Sequence, residues 1–334
     1  MDLLLWYSKA FPEEHLNCKA IINILGEKLS KLIEDFNKVD DSVYLDESNL
    51  TPIQEFYKDT TVFITGCTGF LGHVLLQKLL RSCPVSKIYV LARAKKGKEL
   101  EKRMEEMFEQ IIFQRVADQR YKVVAMEGDC ERPNLGLGEE DRNILIKEVD
   151  IVFHVAATVR FDAKLKTAIR INIKATRDLL RRGNLPPAAN YEGIIGMVES
   201  FEDEVLEKIT PTLIGKYPNT YTYSKQIAED VVKQEGEGLP VGIQRPAIVT
   251  STFKEPVRGW LNNIYGPTGV VLGAGLGLLR VLHFDEELEA NFVPVDMCVN
   301  SMIVSAWDAA ECFQEAQRRE TKVQDTSLQL RKYQ

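Results

Sequence analysis

Gly66, Gly69 and Gly72 recur at every third position between a short apolar run and a helical pattern, and no other stretch limits the fold as much. Val62, Phe63 and Ile64 read as a buried strand that stops at the first glycine. Leu71, Leu75, Leu76 and Leu79 then repeat at helical spacing until Cys83 and Pro84 end the helix. A helix that opens on a glycine turn offers free backbone N–H groups and the positive end of its dipole. The first glycine permits the tight turn, the second lets a pyrophosphate approach the backbone, and the third lets helix and strand pack closely. A glycine triplet alone is weak evidence, but strand, triplet and helix together predict a dinucleotide site. Its expected members are Gly66, Thr68, Gly69, Phe70, Leu71 and Gly72.

The rest of the chain fits a doubly wound parallel sheet flanked by helices, the Rossmann type. Residues 87–91 make a second strand, 123–126 a third and 151–155 a fourth, with a charged helix over 99–115 and another helix over 163–182. Arg93 stands just beyond the second strand, where enzymes that use NAD place an acid for the ribose 2′-hydroxyl. No acid precedes Glu99, and Arg93, Lys95, Lys96 and Lys98 cluster, so the expected cofactor is NADPH. Gly128-Asp129 closes the third strand at the adenine edge. Ala156, Ala157 and Thr158 are small enough for a cofactor to lie against the backbone. His154 lies inside an apolar strand and reads as structural.

A fifth strand should follow the 163–182 helix, and none does. Residues 181–187 break the helix, and 190–213 is helical in pattern throughout. A later strand is expected over 239–250, a mobile glycine-rich loop over 266–277, and a final helix over 294–310. The expected organisation is a charged helical leader over 1–55 and a reductase domain over 56–310. A helical and loop substrate region lies within that domain at 190–220 and 254–296, and a polar, disordered tail follows over 311–334.

Length and composition agree with this. A chain of 334 residues suits one large α/β domain with additions. Hydrophobic residues at 45% and charged residues at 27% are ordinary for a soluble globular protein. A net charge of −7 carries no nucleic-acid footprint. Six cysteines without CxxC pairs argue against zinc or any other metal and against a disulfide framework, and so for a reducing, intracellular compartment. Asp2 stands where a signal peptide needs a base, and no run reaches the ~18 apolar residues of a membrane span, so the chain reads as soluble.

Tyr221 and Lys225 are four apart and share a helix face. A phenol titrates near pH ~10, too high for acid–base work unless a cation depresses it. Lys225 can supply that cation and hold the nicotinamide ribose, while Tyr221 delivers a proton to a carbonyl oxygen as hydride arrives.

Together the glycine turn, Asp129, the Tyr221–Lys225 pair and Arg245-Pro246 resemble an extended short-chain dehydrogenase/reductase. Within that superfamily the chain resembles the fatty acyl-CoA reductases, most specifically over 153–161 and 216–225, and the match runs from about residue 54 to 308. The resemblance implies two-step reduction of a long-chain acyl-CoA by NADPH to a fatty alcohol. Hydride adds to the thioester carbonyl, CoA leaves, and a second NADPH reduces the aldehyde. Tyr221 would be the proton donor, Lys225 its partner and Asn172 the support of a proton-relay water, with Arg245, Pro246 and Ala247 along the nicotinamide.

The resemblance also implies parts that this chain lacks. Members carry a strand ending in a Ser-Thr-Ala-Tyr-like sequence, and its serine donates to the reacting carbonyl; here the chain jumps from Arg182 to Pro187. Loss of one such donor costs roughly 3 kcal/mol of transition-state stabilisation. Ser200, Ser224 and Ser251 are not in the right context to replace it. The family's C-terminal domain and apolar C-terminal segment are likewise expected and not found after about Ala310, so the chain reads as truncated with an internal deletion. Full-length relatives are expected to associate with peroxisomal or endoplasmic reticulum membranes. Two alternatives stay open: a catalytically impaired cofactor-binding isoform, and another extended reductase or epimerase. Nothing in the sequence fixes the oligomeric state.

Overall fold

The computed structural model describes residues 45, 47–93, 99–180, 190–283, 285 and 287–331, with side chains as far as residue 319. The leader up to residue 44, Lys95, Lys96 and Lys98, and the join at 181–189 lie outside the described residues. Residues 45–334 form one compact unit.

Helix α1 (Pro52–Tyr57) opens on a reciprocal cap between Thr51 and Gln54 and leads to strand β1 (Thr61–Thr65). All five residues of β1 are buried, as befits an interior strand of a parallel sheet covered on both faces. Helix α2 (Phe70–Ser82) returns to β2 (Lys87–Ala92), then α3 (Leu100–Phe108) and a 3₁₀ stretch (Ile111–Lys122) lead to β3 (Val123–Glu127). Helix α4 (Glu139–Glu148) precedes β4 (Ile151–His154). The four strands run parallel in the order β3-β2-β1-β4, with Ile64 opposite Val90 on one side and Phe153 on the other. This is the expected half of a doubly wound sheet.

The predicted helix over 163–182 forms in three stretches: α5 (Leu165–Ala168), a π turn (Ile169–Lys174) and α6 (Ala175–Leu180). The continuous helix expected over 190–213 is two, α7 (Asn190–Ser200) and α8 (Asp203–Ile214). Glu202 takes an extended conformation between them, and Asp203 and Glu204 favour a new N-terminus there. Helix α9 (Thr220–Glu235) packs on α6 and the π turn, and Leu165, Ile169, Ile173, Ile195, Val198 and Val231 form the shared core.

Only Ile248–Thr250 of the expected 239–250 strand is a strand, β5. The preceding residues 241–247 are exposed and unpaired by any described ladder, since Gln244 turns to Ser301 and Arg245 to Glu229. The glycine-rich stretch expected as a loop holds a short helix, α10 (Pro267–Gly275), with proline in its first turn, where a missing N–H costs nothing. Strand β6 (Phe292–Pro294) pairs with β5 in a separate parallel ladder and runs straight into α11 (Val295–Arg331). The end expected for that helix near Ala310, with a disordered tail beyond, is therefore corrected. Gln314 with Arg318 and Glu315 with Arg319 link successive turns of its polar part, the pattern that sustains a helix polar on all sides.

The sheet is thus split where the missing strand would lie. Among the described residues β4 pairs only with β1 and β5 only with β6. Val152 on β4 is 49% exposed, Ile248 on β5 46% and Phe292 on β6 52%. Apolar residues of a parallel sheet do not normally face water to this extent. No helix among the described residues is long and apolar enough to cross a membrane.

Candidate active site

The glycine turn has the geometry that its sequence demands. Gly66 has φ +75°, and a Cβ there would lie 2.7 Å from the Ala156 nitrogen. A Cβ on Gly72 would lie 2.2 Å from the Gly66 carbonyl oxygen, so both positions exclude a side chain. Gly69 is different. A Cβ there would meet only the Gly66 carbonyl, at 3.2 Å, and its outward side is open. No side chain caps α2, so the N–H groups of its first turn, at Phe70, Leu71 and Gly72, are free for an anion. Thr68 is half-buried beside them. These residues fit a dinucleotide's pyrophosphate.

Ala156 meets the turn from the other side. Its N–H donates to Thr65 Oγ1 at 3.3 Å, which ties the loop after β4 to the end of β1. Arg93 follows β2 with its guanidinium exposed and 4.0 Å from the Asp129 carboxylate. Asp129 in turn accepts the Glu131 N–H at 2.9 Å. The two residues expected at the adenosine end are therefore together at the carboxyl edge of the sheet, the place where open α/β sheets bind ligands.

Tyr221 and Lys225 lie in the first turns of α9, whose N-cap Asn219 accepts the Thr222 N–H at 2.9 Å. Asn172 comes from the π turn, a form that recurs at functional sites. It is buried, and its Oδ1 accepts the Thr158 N–H at 3.0 Å. Its Nδ2 donates to the Thr158 carbonyl at 3.3 Å and to Ser224 Oγ at 2.8 Å. The Ser224 hydroxyl in turn donates to the Tyr221 carbonyl at 2.9 Å. The loop after β4, the π turn and the tyrosine helix are thereby joined through one amide. The Phe161 ring lies against Tyr221, with centroids 5.7 Å apart.

One electrostatic expectation does not hold. Burial pushes the Tyr221 phenol up, with no depression by Lys225. Burial lowers Lys225, against a smaller pull from Glu229, and its charge is felt instead by His154. Pro246 and Ala247 lie in the exposed segment ahead of β5, while Arg245 is held at 2.5 Å by both oxygens of Glu229. Ser224, Thr65 and Phe161 were not singled out as site residues from the sequence. Ser224 adjoins the Tyr221–Lys225 pair and Phe161 closes the 153–161 stretch, so both had a signal nearby, while the Thr65 contact has none.

A family model described as male sterility protein, an NAD-binding domain, matches residues 64–302. Fatty acyl-CoA reductase wat of Drosophila melanogaster is 40% identical over 316 residues, 85% of this chain and 61% of its own length. Fatty acyl-CoA reductase 1 of Homo sapiens is 40% identical over 290 residues, 77% of this chain and 56% of its own. The chain thus spans less than two thirds of the length of either relative. Among solved structures, the terminal R domain of the myxalamid PKS-NRPS pathway superposes with a TM-score of 0.54 at 25% identity, covering 82% of this chain and 68% of that one. The reductase domain of a nonribosomal peptide synthetase from Mycobacterium tuberculosis superposes at 0.50 with 18% identity, over 83% and 70%, which speaks to the fold alone.

Proposed function

The chain belongs to the fatty acyl-CoA reductase family, the male sterility proteins, and from that membership we propose that it reduces a long-chain acyl-CoA with NADPH at the Tyr221–Lys225 site. It carries a nicotinamide dinucleotide-binding domain. The observation that carries the reading is the single hydrogen-bonded unit formed by Thr158, Asn172, Ser224 and Tyr221 beside the open glycine turn.

In this reading the free N–H groups of α2 take the pyrophosphate, Arg93 takes the 2′-phosphate, and Asp129 takes the adenine edge. Pro246 and Ala247 follow the nicotinamide. Bound there, NADPH supplies the hydride. Tyr221 holds the proton for the carbonyl oxygen, and a phenol raised by burial keeps that proton at neutral pH. Lys225, one turn further along α9, holds the nicotinamide ribose. Asn172 fixes the loop after β4 against α9 and so sets where Tyr221 stands.

The exposed edge of β4 favours a second reading, a nucleotide-binding form with impaired turnover. A hydroxyl donor beside that edge is the missing part, and such a loss lowers kcat roughly 10²–10³-fold. Purified protein given palmitoyl-CoA and NADPH separates the two. Free CoA and fatty alcohol that appear slowly and vanish in Tyr221→Phe support the reductase. Tight NADPH binding with no product from either protein supports the second reading. We place the protein at a peroxisomal or endoplasmic reticulum surface by family membership, which cell fractionation tests.

A further inference from the structure

The turn over residues 252–260 is built more firmly than an exposed connection between β5 and α10 requires. Asp296 is buried at the start of α11, and its carboxylate accepts three backbone N–H groups, from Phe253 at 2.8 Å, Lys254 at 2.9 Å and Glu255 at 3.2 Å. The helix dipole supports a carboxylate at that end. Glu255 reaches the other way, to Lys78 at 2.6 Å and to Arg81, both on α2, and to Asn300 on α11 at 3.4 Å. Thr252 closes the turn on itself: its Oγ1 accepts the Trp260 N–H at 2.8 Å and donates to the Val257 carbonyl, and its carbonyl accepts the Gly259 N–H at 2.8 Å.

What this buckle delivers is Trp260. Its indole stacks on Phe70 at 5.7 Å with 26° between the planes, and lies 6.3 Å from the His73 ring. Phe70 is the first residue of α2, next to Gly69. The Gly69 carbonyl can only accept, so His73 Nδ1 donates to it at 2.7 Å, and His73 Nε2 then accepts from Gln110 Nε2 at 3.3 Å. Burial keeps that imidazole neutral, as this arrangement needs. The glycine turn is held from outside by an indole, an imidazole and a closed loop fixed to two helices.

We propose that the 252–260 buckle is a positioning element for the pyrophosphate of the dinucleotide, with Trp260 the residue that sets the direction of the Phe70 and Leu71 N–H groups. This rests on the reading that a dinucleotide occupies the glycine turn. Trp260 acts through Phe70, and its ring contacts among the described residues are with Phe70 and His73 of α2.

The test is binding of NADPH, NADH and adenosine 2′-monophosphate by calorimetry to the whole chain and to Trp260→Leu, Trp260→Phe and Glu255→Gln. Loss of an aromatic pair predicts that Trp260→Leu binds NADPH and NADH both ~3–10-fold more weakly, with their ratio unchanged. Adenosine 2′-monophosphate, which has no pyrophosphate, binds as before, and Trp260→Phe restores the dinucleotides. Glu255→Gln, which leaves the indole in place but loosens the buckle, weakens both in the same ratio and serves if Trp260→Leu does not fold. Unchanged dinucleotide affinity in Trp260→Leu and Glu255→Gln overturns the proposal alone. So does an equal loss for adenosine 2′-monophosphate, because the damage is then general. A wild-type chain that binds neither dinucleotide overturns the occupancy of the glycine turn and the proposal with it.

Discussion

Thr65 Oγ1 lies 2.7 Å from Nδ1 of His154 across the β1–β4 pair. The same Oγ1 also accepts the Ala156 N–H at 3.3 Å, so one hydroxyl joins the end of β1 to both the imidazole and the loop after β4. Burial and the nearby Lys225 hold His154 down to about 3, against an ordinary 6.5.

This pair makes the first prediction. Below pH 6.5 the unfolded chain takes up a proton that folded His154 refuses until about pH 3. The contribution of His154 to stability is therefore full above 6.5 and falls steadily as pH drops toward 3. Urea midpoints measured between pH 7 and 4 should fall, and His154→Gln should fall less steeply over the same range. Parallel slopes for the two proteins would contradict the protonation state assigned here.

Arg93 is exposed, and its ion pair with Asp129 is a long one at 4.0 Å that a phosphate would compete with. Arg93→Ala should weaken NADPH roughly 10-fold, the scale of a charge-assisted hydrogen bond, and leave NADH nearly unchanged. Calorimetric titration with both nucleotides checks this. An equal loss for both would move the 2′-phosphate elsewhere.

Asn172 is 2% exposed and satisfies three partners on two separate elements. Asn172→Ala strands the Thr158 N–H and carbonyl and removes the donor to Ser224 Oγ, which should cost roughly 1–3 kcal/mol of stability. Thermal denaturation of the pair of proteins gives the number, and a change below that range would mean water replaces the amide without loss.

Gly72→Ala should abolish nucleotide binding while Gly69→Ala only weakens it. The first puts a methyl 2.2 Å from the Gly66 carbonyl oxygen, whereas the second points it into the space where the pyrophosphate would lie. Circular dichroism alongside binding separates a distorted turn from a blocked one.

Much of the cofactor half was legible from the chain because it rests on backbone sterics and continuous apolar runs. The Gly66 φ and the Gly72 contact leave no choice of residue, and β1 and β2 are buried along almost their whole length. The proton-transfer half was less legible. The spacing of Tyr221 and Lys225 put them on one helix face, but their electrostatics depend on where the surrounding elements close. The π turn that aims Asn172, and the contact of Trp260 with Phe70, join residues far apart in sequence with no shared period. Helix α10 was hidden by its glycines, and the length of α11 by a polar composition that reads as tail until its turn-to-turn pairs are seen.

The unpaired side of β4 has a bearing on how the protein behaves in a tube. A parallel ladder that among the described residues leaves one side of β4 without a partner, beside an exposed Val152, is a template for another extended chain. A net charge of −7 keeps copies apart at low ionic strength, and salt removes that protection. Preparations should therefore stay clear when dilute and salt-poor, and turn cloudy with time as either concentration or salt is raised, at a rate that climbs faster than the protein concentration itself.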